Sequence, residues 1–111
     1  MTADLQPTLF DKLHAGVLTI QLAFIAFHSA HPGVYAELVR ICRTYRQHRP
    51  GIRWSIDAAY EVLRWERMMA DLPDENEDFK LNNNYRSRYA RLIMEREPDL
   101  ADIFETRSLR A

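Results

Sequence analysis

Cysteine occurs once in the 111 residues and glycine three times. The single thiol, Cys42, excludes a disulfide within the chain and fits a reducing compartment. Cys42 falls at an apolar helical position, where a buried, inert thiol is expected rather than a reactive one. Three glycines leave little material for a phosphate-cradling loop, and no P-loop, G-x-G-x-x-G, G-x-S-x-G or C-x-x-C pattern occurs. No enzyme and no cofactor is therefore expected. Neither sign of charge prevails: the net charge is -1, so the chain as a whole is not a basic nucleic-acid binder. The longest apolar stretch, residues 15–27, has 13 residues and is interrupted by Thr19 and Gln21, too short to span a bilayer. Asp4 and Asp11 against one lysine precede it, the wrong charge for a secretion signal. These features predict a cytoplasmic protein that makes no use of a membrane.

Hydrophobic residues make up 47% of the chain, enough to build the core of one domain spanning 1–111. Its N-terminal part, 1–31, reads as an apolar helical region with a helix from about Thr8 to Ala30, bent or broken at Gly16. A helix apolar on nearly all sides needs cover, either from the rest of the chain or from a second copy in a homodimer. The remainder, 32–110, reads as a helix-turn-helix-like part. Pro32 suits the first turn of a second helix, with an apolar stripe at Val34, Tyr35, Leu38, Ile41, Cys42 and Tyr45. Ser55 caps a third helix whose apolar members are Ile56, Ala59, Tyr60, Leu63 and Met68, with Trp65 half-buried and Arg64 or Glu66 in a salt bridge. One of Asn82, Asn83 and Asn84 caps a fourth helix from about 83 to 96, and Pro98 lies just past its end. Phe79, Lys80 and Leu81 alternate like a short strand, as do residues 104–109, and the two are expected to pair. The fold class is thus mainly α, a small helical domain of winged helix-turn-helix type with a minimal two-stranded β element near the C-terminus.

Charge is distributed in blocks. Residues 40–53 hold five arginines and no acid, 57–78 hold eight acids and two arginines, and 80–96 hold five basic residues and one acid. On a helical wheel the fourth helix turns Tyr85, Tyr89, Leu92 and Ile93 towards a core and Asn84, Ser87, Arg88, Arg91 and Glu95 away from it. Arginine pairs with guanine or phosphate, asparagine with adenine, and a helix start adds free N–H groups. Asn84, Ser87, Arg88 and Arg91 are accordingly candidates for contact with the bases of duplex DNA. Arg86, Lys80, Arg107, Arg46 and Arg49 are candidates for its phosphates. The competing reading is a solvated helix face, and, for the arginines at 40, 43, 46 and 49, neutralisation by the acids of 57–78. Those four arginines spiral across half a helix and form no single stripe. The acidic run 71–78 lacks the ordered spacing of a calcium loop and reads as a solvated linker. His28 and His31 have metal-ligand spacing but no third ligand in register, so no metal site is expected.

The residues Phe27, His28 and Pro32, then Arg64, Trp65 and Glu66, then Phe79, Lys80, Asn82, Asn83 and Tyr85, followed by Tyr89, Ala90, Arg91, Pro98, Phe104 and Arg107, form a pattern. It resembles a family of small bacteriophage and prophage proteins with an F-K-x-N-N-x-Y…Y-A-R signature, over residues 24–110. The resemblance implies a phage or prophage origin, a bacterial host cell and a small accessory role, and brings no activity with it. Two functions are expected from the sequence. The first is a DNA-binding accessory or regulatory protein using the helix 83–96. The alternative is a protein-binding accessory factor that engages or inhibits a host protein through the acidic loop or the apolar helix 15–27.

Overall fold

Residues 13–30 hold no proline and no charged side chain, and α1 runs as one helix over Leu9–Ala30, straight through Gly16. It stops at His31, which the following proline keeps out of the helical conformation. In the computed structural model the described residues are 9–70 and 83–105, with side chains described over 15–70 and 84–105. The chain divides into two compact units, Met1–Ala30 and His31–Ala111, at the junction where the sequence changes character.

In the second unit, α2 spans Pro32–His48 with proline in its first turn. It ends in a turn closed by a hydrogen bond from the Ile52 N–H to the Arg49 carbonyl, with Gly51 at φ 77°, a left-handed conformation that suits glycine. Ser55 opens α3, Ile56–Met69, its Oγ accepting from the Asp57 N–H at 3.1 Å. α4 spans Asn83–Arg96, which takes the cap candidates Asn83 and Asn84 into the helix, and Asn82 lies outside the described residues. Pro98 stops α4 and starts a short 3-10 turn, Pro98–Leu100.

The helices close around one apolar core. Val34, Leu38, Ile41 and Cys42 from α2 are buried with Ile56, Ala59, Tyr60 and Leu63 from α3 and Tyr89, Ala90 and Ile93 from α4. The expected stripes account for most of these residues. Tyr35, Tyr45, Tyr85 and Leu92 are half-buried at the edges. Trp65 and Met68 depart from expectation, 58% and 69% exposed, because they stand on the side of α3 turned away from Tyr60 and Leu63.

Leu100, Ile103 and Phe104 return over the helices and are fully or almost fully buried. The Trp54 N–H donates to the Ile103 carbonyl at 2.7 Å, and Trp54 and Phe104 form an isolated parallel bridge. This bridge is the β pairing seen among the described residues, and its partner is the α2–α3 connection. Ile103 and Phe104 are both buried, which the strict alternation of a solvent-facing strand does not allow. The expected strand at 79–81 and the end of the tail, 106–109, lie outside the described residues. The fold class that stands is mainly α.

Two outcomes follow from this core. Phe104→Ala should lower unfolding free energy by about 3–5 kcal/mol, read as a fall in the urea midpoint. Burial also holds three weak acids protonated: the Cys42 thiol is pushed up to about 12, and the Tyr60 and Tyr89 phenols are raised. The unfolded chain releases these protons from about pH 9 upward while the folded chain keeps them, so stability is full below that pH and declines as pH rises. Urea midpoints measured at pH 8 and pH 10.5 check this; equal midpoints would contradict the assigned burial.

Candidate functional site

α4 places the four residues expected to face DNA bases on one side. Asn84 and Arg91 are exposed and Ser87 and Arg88 partly so, while Tyr89, Ala90 and Ile93 on the other side are buried. Arg88 Nη1 donates to the Asn84 carbonyl at 3.0 Å, so its guanidinium lies back along its own helix. The four therefore occur together as the wheel implies.

The expected phosphate contacts are disposed differently. Arg86 is only 18% exposed; its Nη1 reaches Asp57 Oδ1 at 3.0 Å and its Nη2 lies 3.7 Å from Glu61 Oε1. Its guanidinium also stands 5.1 Å from the centre of the Tyr60 ring, a cation–π arrangement that ties α4 to α3. Arg46 Nη2 pairs with Asp102 Oδ1 at 2.9 Å. Arg49 is exposed, and Lys80 and Arg107 lie outside the described residues.

The other arginines of α2 are also matched by acids. Arg43 donates to Asp99 Oδ2 at 2.9 Å and to Glu97 Oε1 at 2.7 Å. The hydrogen bond from Arg43 holds the Asp99 carboxyl below its ordinary range, and the Asp99 bond raises Arg43 in turn. Glu97 Oε2 further accepts from the Tyr35 hydroxyl at 2.7 Å, and the Tyr35 phenol is raised by burial and by that bond. Arg40 pairs with Glu37 at 2.9 Å and with Glu66. Neutralisation of α2 was expected from the acids of 57–78. Among the described residues only Glu66 supplies it from that block; the other partners are Glu37 of α2 itself and Glu97, Asp99 and Asp102 from the C-terminal return.

The surface that composition did not reveal is apolar. A cleft of about 280 Å³ lies between α2 and α3, walled by Ile41, Tyr45, Trp54 and Val62, with Arg40 and Glu66 among its polar lining. Tyr45 and Trp54 stack face to face at 4.3 Å, 5° from parallel, and the Tyr45 hydroxyl donates to the Arg53 carbonyl at 3.1 Å. This makes one wall a fixed aromatic slab. On α3, Val62, Glu66 and Met69 follow at i, i+4 and i+7, with Trp65 one position round the helix. Trp65, Met68 and Met69 are 58%, 69% and 63% exposed. The cleft wall thus continues along α3 as exposed aromatic and thioether surface. Its sequence signal was present: Trp65, Met68 and Met69 fall outside the i, i+3, i+4 stripe of Ile56, Ala59, Tyr60 and Leu63.

Cys42 is buried and held as the neutral thiol, a poor nucleophile. No group of three His, Cys, Asp or Glu side chains among the described residues is placed to hold a metal ion. Nor is any single described helix long and apolar enough to cross a membrane. Compared with family models, with curated proteins and with solved structures, the chain matches none.

Proposed function

We propose that this chain is a small accessory protein that binds a partner protein through the α2–α3 cleft and the adjoining face of α3. The observation that carries the reading is the continuity of that surface. Ile41, Tyr45, Trp54 and Val62 wall the cleft, and Trp65 and Met69 extend it in the open. Large apolar side chains grouped on a surface mark interaction sites more than isolated ones do. Tryptophan and tyrosine are enriched among residues that dominate binding energy, and methionine adapts to the shape of its partner. The cleft volume of about 280 Å³ is just below the range of drug-sized ligand pockets. It suits one anchoring apolar side chain of a protein, with the Arg40–Glu66 ion pair at its polar edge.

A second reading keeps duplex DNA as the partner. The exposed α4 face bearing Asn84, Ser87, Arg88 and Arg91 favours it. Against it stands the pairing of Arg46 and Arg86 within the protein, which leaves fewer cations for a phosphate backbone.

Two double variants separate the readings. Partner proteins are captured from host lysate with the wild-type chain, identified by mass spectrometry, purified and titrated against wild type, Trp65→Ser/Met69→Ser and Arg88→Ala/Arg91→Ala. The cleft variant should weaken binding about tenfold or more, with little dependence on salt, while the arginine variant binds as wild type. Salt-sensitive binding to a random duplex, abolished in the arginine variant, with no partner sensitive to the cleft variant, would move the function to α4.

A further inference from the structure

The first unit carries a second apolar surface that the cleft reading does not use. From residue 13 to residue 36 the sequence contains no Asp, Glu, Lys or Arg. Along α1, Ala15, Leu18, Leu22, Ile25 and Ser29 are all exposed and follow one another at steps of three, four, three and four. Leu22 is 67% exposed and Val17, Leu18 and Ile25 are each 50% exposed. Alternating steps of three and four average 3.5 residues, the spacing that keeps an apolar seam facing a second helix in a coiled coil. The bulky side chains occupy the middle of the seam and the small ones its ends.

The chemistry of α1 selects the occupant. Interfacial membrane helices set lysines and arginines opposite their apolar face, whereas α1 has Lys12 alone, with Thr19, Gln21 and His28 scattered round it. A strongly charged partner would find no countercharge on this seam. A copy of the same helix presents the same spacing and the same lack of charge, so both sides are matched without a buried ion. Two such helices, paired along a seam of about two heptads, bury on the order of 1,000 Å² together, the lower bound for a specific interface.

We propose that α1 pairs with α1 of a second copy of this chain in a two-helix coiled coil through Leu18, Leu22 and Ile25. The inference rests on α1 alone and stands or falls independently of the cleft. The test is sedimentation of the full chain over a concentration series from about 1 to 100 µM, the affinity range of an interface at this lower bound. The comparison is with Leu22→Glu, on the seam, and Ala23→Gln, off it. Circular dichroism and protection of Cys42 from thiol reagent verify that the His31–Ala111 unit stays folded in each variant. The wild-type mass should rise from 13.1 kDa towards twice that value. Ala23→Gln should follow it, and Leu22→Glu should stay monomeric throughout. The proposal is overturned by a wild type that stays monomeric at the top of the range, or by a Leu22→Glu variant that dimerises equally well. It is also overturned by species that grow beyond the dimer, or by a monomeric wild type that floats with phosphatidylcholine vesicles.

Discussion

The hydrogen bond from the Trp54 N–H to the Ile103 carbonyl closes the His31–Ala111 unit. It joins the connection before α3 to the segment after α4, residues far apart in sequence. Beside it, Leu100, Ile103 and Phe104 enter the core that the three helices leave open. The same bond holds the Trp54 main chain where its indole stacks on Tyr45, so the cleft wall and the core depend on one attachment. A polar main-chain pair of this kind is costly to break once buried, because neither group regains water without opening the apolar contacts around it.

That attachment also decides the electrostatics. Returning the chain over α2 brings Glu97, Asp99 and Asp102 to Arg43 and Arg46. Surface ion pairs of this type stabilise a fold little. They do alter the potential, and here they neutralise a helix that carries arginine at every third position. On α4, Arg86 is drawn to Asp57 and over the Tyr60 ring. Arg40, Arg43, Arg46 and Arg86 are thus taken up by pairing within the protein, beside an exposed surface at Trp65, Met68 and Met69 that is aromatic and thioether.

The helices were legible because their signals are local. Pro32, Ser55 and Pro98 mark ends through backbone geometry, and the buried Val34, Leu38, Ile41 and Cys42 of α2 follow a 3.6-residue period. Cys42 was legible for the same reason. The partners of the arginines were not, because Arg43 meets Asp99 across 56 positions, and no local pattern specifies so distant a pairing. The strand expected from the alternation at Phe79–Leu81 lies outside the described residues. What pairs with Phe104 is the irregular segment at Trp54, which has no strand signal of its own. The α4 face was read correctly as a face, since helical spacing fixes it, but spacing says nothing of what the face touches. Met68 was counted into the stripe and Trp65 taken as half-buried because apolar residues near a stripe are drawn into it. Their position on the wheel, turned from Tyr60 and Leu63, was the discriminating signal.

Exposed side chains of this size carry an energetic argument of their own. Fully burying a leucine, isoleucine or methionine is worth about 1.5–3 kcal/mol, and folding leaves much of that unrealised at Leu22, Met68 and Met69. A chain that folds alone gains nothing from keeping them in water and risks indiscriminate association. Both groups lie on helices, so their geometry is set before any partner arrives and little ordering is needed on binding. The two surfaces also differ in kind. The α1 seam is aliphatic, regular and self-matching, the pattern that fixes a helix pair. The α3 face joins an aromatic-walled cleft to flexible thioethers, the pattern that accepts a dissimilar surface. A dimer built on the first would present two copies of the second, and a partner with repeated sites would then be held by both at an effective concentration set by their separation.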